Sequence, residues 1–494
     1  MNRLGAETPT PEESPPIKVA AARGAKWSFV GATGRQMVRF VFLLFLARLV
    51  GPADFGIAAQ AATFIILVSV LLDQGLGATI IQRRALTGDI VGSAYWINTV
   101  ATLLLTVGTF AAAPLVAKFF RTNELTAVVQ VLSLSVLFQG LAVIPRAMIS
   151  RHLGFKRTAV ADLVGPLAGG LAGVAAAAAG AGYWALIVQT VCSDALVAGI
   201  LFAYAGRPAG RATRAGLGEV FGFSGRVFGV SVMTYLGRNL DNVLVGRVFG
   251  ATQLAFYSLS YRTLMVPVMS LGMVANRVAL PVFSRLQDDT DQLRRSYLAV
   301  TRVIALIAIP LMAFTVVEAP YAVPVLFGDE WTAAVVPMQI LAVTGMRQSV
   351  QSTTSPLLIA LGKTKLLVRF GGGSVLVYSA SFFVGVQWSI AAVAACYAVV
   401  DFLIAPVVVR ISGRLLAFSA WDYLTVLLPA AAASAILAAT AEAAVLLLEG
   451  AGMPIGVTLA ASSFVGVLSF LAAVRYLWPD ELSNLKSRLR ASRD

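Results

Sequence analysis

The chain has 494 residues, of which 58% are hydrophobic and only 13% charged, with a mean hydropathy of +0.82. Soluble domains are roughly 25% charged, whereas apolar windows of about 20 residues recur along this whole sequence, so the composition excludes a water-soluble enzyme and predicts an all-α polytopic membrane protein. The short alternating strands of a transmembrane barrel are absent, and loop cations account for the formal net charge of +14 without a nucleic-acid partner.

In chain order, residues 1–26 carry Pro9, Pro11, Pro15 and Pro16 and no apolar core with a cleavage pattern, which predicts a disordered cytoplasmic tail rather than a signal peptide. Six spans are expected at about 27–48, 55–78, 92–113, 125–149, 158–180 and 182–204, forming an N-terminal lobe over 27–206. A basic linker, 207–218, leads to six more at about 219–247, 254–283, 296–318, 331–360, 366–387 and 389–411, a C-terminal lobe over 219–412. Two additional helices fall within 413–478, and a basic cytoplasmic tail, 479–494, ends the chain, for about fourteen transmembrane helices in all. Cys192 and Cys396 sit inside apolar spans far apart in sequence and read as small packing residues.

Loop charge orients this bundle. With the N-terminus inside, the clusters Arg83/Arg84, Arg146/Arg151/Lys156/Arg157, Arg207/Arg211/Arg214, Arg285/Arg294/Arg295, Lys363/Lys365/Arg369 and Arg410/Arg414 all fall on the cytoplasmic side, as do both tails. The outer loops hold only Arg48, Lys118, Arg121 and Arg247. This is the positive-inside pattern of a multi-pass membrane protein, with both termini expected in the cytoplasm.

The remaining cations lie within the spans: Arg35, Arg39, Arg226, Arg238, Arg262, Arg277, Arg302, Arg347 and Arg475. They outnumber the in-span acids Asp73, Asp162, Asp194, Asp241, Asp401 and Glu442. Each costs roughly 2.5–3.5 kcal/mol at a helix centre, so the surplus needs a cavity or an anionic partner. On a helix, Ser224, Arg226, Ser231, Tyr235, Arg238, Asp241 and Asn242 share an arc of about 180°. Ser258, Arg262, Thr263, Ser270, Asn276 and Arg277 share one of about 140°. Arg302 and Arg475 are equally readable as interfacial or structural.

An internal repeat strengthens the cavity reading. The pattern Arg39, Arg48, Gly51 recurs as Arg238, Arg247, Gly250 at identical spacing. Ala113-Pro114 answers Ala319-Pro320, and Gly154-Phe155-Lys156 answers Gly362 to Lys365, at similar shifts. Six spans is an even number, so the halves enter the membrane in the same sense, and a binding site is expected between them, lined by the first, second, seventh and eighth spans. Among the other signals, Gly165, Gly169 and Gly173 predict close helix packing. The segments 114–121 and 320–327 read as short amphipathic surface helices, Asp73 as a cap or hinge with cation binding as the alternative, and His152 as a solvated loop residue. No phosphate-binding loop follows Gly371-Gly372-Gly373, and neither metal ligands nor a cofactor motif stand out.

Several blocks together carry a family resemblance: Gly51-Pro52-Ala53-Asp54-Phe55-Gly56, Asp73-Gln74-Gly75-Leu76-Gly77, Arg238-Asn239-Leu240-Asp241-Asn242 and Tyr257-Ser258-Leu259-Ser260-Tyr261-Arg262. Over about residues 25–412 the sequence resembles the Wzx-type polysaccharide flippases of the multidrug/oligosaccharidyl-lipid/polysaccharide exporter superfamily. That resemblance implies a transporter and not an enzyme, with a polyprenyl-diphosphate-linked oligosaccharide as substrate, for instance an exopolysaccharide repeat unit of succinoglycan type. Membrane lipids, a polysaccharide polymerase and a chain-length regulator are the further partners it implies. The diphosphate would be received by Arg35, Arg39, Arg238 and Arg262, with Arg226 and Arg277 nearer the cytoplasmic mouth. Asp241 would hold Arg238 in register, and Ser231, Tyr235 and Asn242 would meet sugar hydroxyls. A lipid II flippase and a multidrug or cation antiporter of the same superfamily are the alternatives, the antiporter disfavoured by the arginine surplus.

Overall fold

The computed structural model describes residues 17–72, 77, 80–81, 88–206, 237 and 239–477, and helix dominates throughout them, with no strand among the described residues. Helix α1, Ile17–Leu72, starts ten residues before the first expected span, within what the sequence assigns to an unfolded tail. The physical reason is local: Ala20, Ala21, Ala22 and Ala25 are the strongest helix formers available. At Gly51 the helix breaks (φ 77, ψ 166), a conformation that only glycine adopts cheaply, and Pro52 follows with no amide proton to continue the ladder. The first two expected spans are therefore two helices meeting at one residue.

Four more helices follow: α2 (Gly88–Phe120), α3 (Leu125–Arg151), α4 (Phe155–Ala178) and α5 (Trp184–Ala205). After a helical stretch at 239–248 come α6 (Gly250–Arg285) and α7 (Thr290–Phe327). Next are a 3-10 turn (Asp329–Ala334), α8 (Val335–Gln351) and the short α9 (Thr354–Ala360). The chain ends in α10 (Thr364–Gly385), α11 (Ile390–Leu416), α12 (Ala420–Gly450) and α13 (Ile455–Leu477).

Among the described residues eleven helices are long and apolar enough to cross a membrane, where the sequence predicts about fourteen. The differences fall at α1, where Thr33–Leu72 runs on through the Gly51 break, and at 331–360, divided into the 3-10 turn, α8 and α9. They fall also at 219–247, most of which lies outside the described residues, as do 1–16, Asp73, the linker 207–218 and the tail 479–494. The expected separate surface helices at 114–121 and 320–327 do not form. There α2 runs unbroken to Phe120 and α7 to Phe327, with Pro114, Pro320 and Pro324 inside them. Within a membrane bundle, neighbouring groups re-satisfy the carbonyls that a proline frees.

The chain divides into two compact units, Met1–Ala255 and Phe256–Asp494. In the first, Val128, Val129, Leu132 and Val136 of α3 pack on Ile65, Val68 and Leu72 of α1 and on Ala113 and Val116 of α2. Helices α4 and α5 approach along Gly165, Gly169 and Gly173, where an added Cβ would lie 2.4–2.8 Å from atoms of α5. Lipid tails are as apolar as leucine, so this backbone proximity, rather than hydrophobic burial, is what favours the helix pair. In the second unit, Phe283, Leu293, Tyr297, Leu357, Leu416, Phe418 and Tyr423 form the core, with Tyr297 and Phe418 stacked at 5.9 Å. Large apolar side chains such as Leu104 (68% exposed), Val368 (72%) and Leu447 (75%) point outward, the surface a bilayer solvates.

The sequence repeat has a backbone counterpart. Gly250, the partner of Gly51 at the same spacing, also has a positive φ of 85°, and each glycine separates two helical stretches. Near these breaks the Gln60 amide donates to Gly246 O at 3.0 Å, and Gly56 sits so close to Ala251 that a Cβ would meet its carbonyl oxygen at 2.1 Å.

Candidate functional site

Two of the predicted site arginines, Arg35 and Arg39, lie one turn apart on α1 and are the start of a polar network inside the first unit. Arg35 Nη1 is 3.2 Å from Asp162 Oδ2 on α4, and Arg146 of α3 holds the same carboxylate through two nitrogens at 2.8 and 3.1 Å. One acid is thus shared by two guanidinium groups. Arg146 is not the cytoplasmic-loop cation that loop counting implies: α3 continues through it to Arg151, and sixteen residues of chain reversal bring Asp162 opposite.

Arg39 is exposed and lies in electrostatic reach of Arg35, Asp162 and Asp194. Asp194, on α5, accepts hydrogen bonds from the Ser135 hydroxyl and from Gln139 Nε2 (2.8 Å), both on α3. Gln139 is itself oriented by Ser69 of α1, whose hydroxyl donates to Gln139 Oε1 at 2.8 Å. Asp194 is therefore held by neutral donors, and the network of Arg35, Arg39 and Arg146 against Asp162 and Asp194 keeps a surplus of positive charge. Arg35, Arg39 and Arg146 are all solvent-accessible in part, so this surplus is open to an arriving anion.

The second unit holds an equivalent acid differently. Asp401 of α11 is fully buried and forms a two-point ion pair with Arg347 of α8, through Nε and Nη2. Tyr378 OH (2.7 Å) and Gln348 Nε2 (3.2 Å) also donate to Asp401 Oδ1, Tyr397 OH accepts from Gln348 at 2.7 Å, and Arg347 Nη1 reaches Gln351. Every charge here has a partner, so this cluster holds helices together and offers an anion little.

The other predicted residues are placed as follows. Arg262 and Arg277 are exposed on α6, about 60° apart around the helix and about 22 Å apart along it. Asn276, beside Arg277, donates to Gly272 O at 2.9 Å. Asp241 is buried and accepts from the backbone and side-chain nitrogens of Asn242 at 2.8 and 3.3 Å, so in this structure Asn242 is engaged by Asp241. Arg226, Tyr235 and Arg238 lie outside the described residues. Arg247 stacks over the Phe119 ring at 5.7 Å. Among the described residues no group of three or more His, Cys, Asp or Glu side chains is arranged to hold a metal, and Cys192 and Cys396 are free and half-buried. His152 is exposed at the end of α3, with Nδ1 2.8 Å from Met148 O.

Sequence reasoning missed the partners Asp162–Arg146, Asp194–Gln139 and Asp401–Arg347. The in-span acids were visible, but no periodicity links residues on different helices.

The fold is that of a polytopic helical membrane protein, with a cluster of arginines in excess over acids in its first unit. The chain belongs to the polysaccharide biosynthesis protein family, which it matches over residues 45–336. It is 26% identical over 399 residues to the teichuronic acid biosynthesis protein TuaB of Bacillus subtilis strain 168, covering 79% of this chain and 82% of that one. It is 26% identical over 376 residues to the lipopolysaccharide biosynthesis protein WzxC of Escherichia coli K12, covering 74% and 75%. With the succinoglycan biosynthesis transport protein ExoT of Rhizobium meliloti strain 1021 it shares 24% over 348 residues, 70% of each chain. Among solved structures it shares its fold with the lipid II flippase MurJ in an inward closed conformation, at a TM-score of 0.71 and 12% identity, over 93% of this chain and 100% of that one. The resemblance to Wzx-type proteins read from the sequence holds in both the relatives and the fold.

Proposed function

We propose that this protein is a flippase that carries a polyprenyl-diphosphate-linked oligosaccharide, an exopolysaccharide repeat unit, from the cytoplasmic to the outer leaflet of a bacterial inner membrane. The observation that carries the proposal is the charge surplus of Arg35, Arg39 and Arg146 over Asp162 and Asp194. A diphosphate cannot cross hydrocarbon unaided, and guanidinium groups receive it by paired, charge-assisted hydrogen bonds. Arg39, exposed and opposed by an acid already satisfied by Ser135 and Gln139, is the first contact, and an arriving phosphate competes with Asp162 for Arg35. Arg238 and Arg262, from the second half of the repeat, supply further cations for the headgroup, Arg226 and Arg277 serve entry, and the prenyl tail stays in lipid. Rocking of two lobes then moves the headgroup, and no covalent step is needed. Relatives named for teichuronic acid, lipopolysaccharide and succinoglycan biosynthesis support a saccharide cargo. A polymerase and a chain-length regulator are the natural downstream partners.

The test is translocation of lipid-linked oligosaccharide by Arg39→Ala, Arg238→Ala and the double variant, in cells or vesicles, with Lys at each position for comparison. Each Ala change is expected to reduce transport at least tenfold, the worth of one charge-assisted hydrogen bond to phosphate, with Lys recovering part of it. Wild-type transport by a normally expressed double Ala variant overturns the proposal. A lipid II substrate shares the diphosphate, and complementation of a lipid II flippase deletion distinguishes it.

A further inference from the structure

Away from the cationic network, one carboxyl is buried where α12 and α13 pack on α7. Glu318 of α7 is 1% exposed. Its Oε2 lies 3.0 Å from Ser462 Oγ on α13, and the same hydroxyl lies 3.2 Å from Leu459 O. Its Oε1 is buried with no hydrogen-bond partner.

The protons can be counted. A serine hydroxyl has one, and a backbone carbonyl only accepts. If Ser462 donates to Leu459 O, its contact with Glu318 needs a second proton, and only the carboxyl can bring it. The chain then runs from Glu318 Oε2–H to Ser462 Oγ–H to Leu459 O. It satisfies all three groups and leaves unbonded only a neutral carbonyl oxygen. An ionised Glu318 would instead share a single split donor while its other oxygen stayed orphaned, and an uncompensated buried charge is among the most unfavourable arrangements a protein interior can hold.

Among the described residues the surroundings add no cation to that balance. From α12, Glu442 lies in electrostatic reach of Glu318, and Glu449 in reach of Tyr321, one turn along α7. The α13 face presents Ser462, Arg347 of α8 is committed to Asp401 of α11, and Asp329 and Glu330 of the 3-10 turn are exposed. A negative charge on Glu318 would therefore face another acid and no cation among the described groups around it.

We infer that Glu318 is a proton-binding site: it carries its proton at neutral pH in the seam between α7 and the terminal helix pair, and losing that proton loosens α13 from α7. The inference is independent of the cargo. The test compares melting of the purified full-length protein and its Glu318→Gln variant across pH in detergent. Gln keeps the neutral donor, so the two should melt together below about pH 4, where the carboxyl is protonated both folded and unfolded, and separate as pH rises through the acidic range, where the unfolded wild type releases its proton, leaving the variant the more stable at neutral pH. A variant already less stable at neutral pH, or curves that coincide at every pH, overturns the inference. Dicyclohexylcarbodiimide, which modifies protonated carboxyls from the apolar phase, should label Glu318 at neutral pH and progressively less at alkaline pH. Absence of that label at mildly acidic pH counts against the site equally.

Discussion

At the scale of single residues, the two acids Asp194 and Asp401 show how similar sequence signals lead to different roles. Both are aspartates in apolar helices. Asp194 is held by Ser135 and Gln139, whereas Asp401 is held by Arg347 in a pair whose side chains are 12% and 0% exposed. Replacing Asp401 by Ala leaves Arg347 buried without its counter-charge and should destabilise the protein by about 3–5 kcal/mol. The double variant Arg347→Met, Asp401→Leu removes both charges and should recover most of that loss, because the desolvation penalty of the pair disappears with it. Thermal unfolding in detergent checks both. A single Asp401→Ala variant as stable as wild type would show that the pair is dispensable. The Arg-Arg-Gly repeat sets Arg39 apart from Arg347 in the sequence, but no local pattern shows that Arg347 is paired with a buried acid and Arg39 is not. The difference is what faces them from another helix.

At the scale of elements, the α4–α5 pair is the part of the fold most directly legible in sequence. Gly165, Gly169 and Gly173 recur every four residues, one per turn, and each faces α5 closely enough that a Cβ would collide. A Cβ at Gly169 would lie 2.5 Å from Gln189 O and 2.7 Å from Ser193 Cβ. Gly169→Ala should therefore lower stability by about 1–3 kcal/mol, the usual range for overpacking. Gly371 of α10 is the control, since nothing lies within 4 Å of its Cβ position and Ala there should be neutral or stabilising. Melting temperatures of the two variants decide the matter, and equal effects would refute the packing role. One expectation failed at this scale through proline. Pro114, Pro320 and Pro324 invite a break in water, yet α2 and α7 continue through them because a bundle interior tolerates the freed carbonyl.

For the whole molecule, loop charge sets which end of each helix faces the cytoplasm. Asn123, between α2 and α3, is expected outside, and Lys363, between α9 and α10, inside, and both are exposed. With Cys192 and Cys396 replaced by Ser, Asn123→Cys should react with a membrane-impermeant maleimide in intact spheroplasts, and Lys363→Cys only after permeabilisation. The reverse pattern would invert the topology and place the arginine entry face on the wrong side for a cytoplasmic donor.

The membrane class, the surplus of arginine over acid and the Arg-Arg-Gly repeat are all present in the sequence, because transfer free energy and backbone permissiveness are properties of single residues and short stretches. The repeat even foretells conformation: Gly51 and Gly250 both take positive φ. Only the tertiary structure decided the pairings. Asp162 lies between Arg35 and Arg146, Asp194 among neutral donors, Asp401 against Arg347, and Glu318 against Ser462, 144 residues away. Such contacts depend on which helix faces of separate spans meet, and helix–helix packing in lipid is governed by shape between distant segments, which no local pattern encodes.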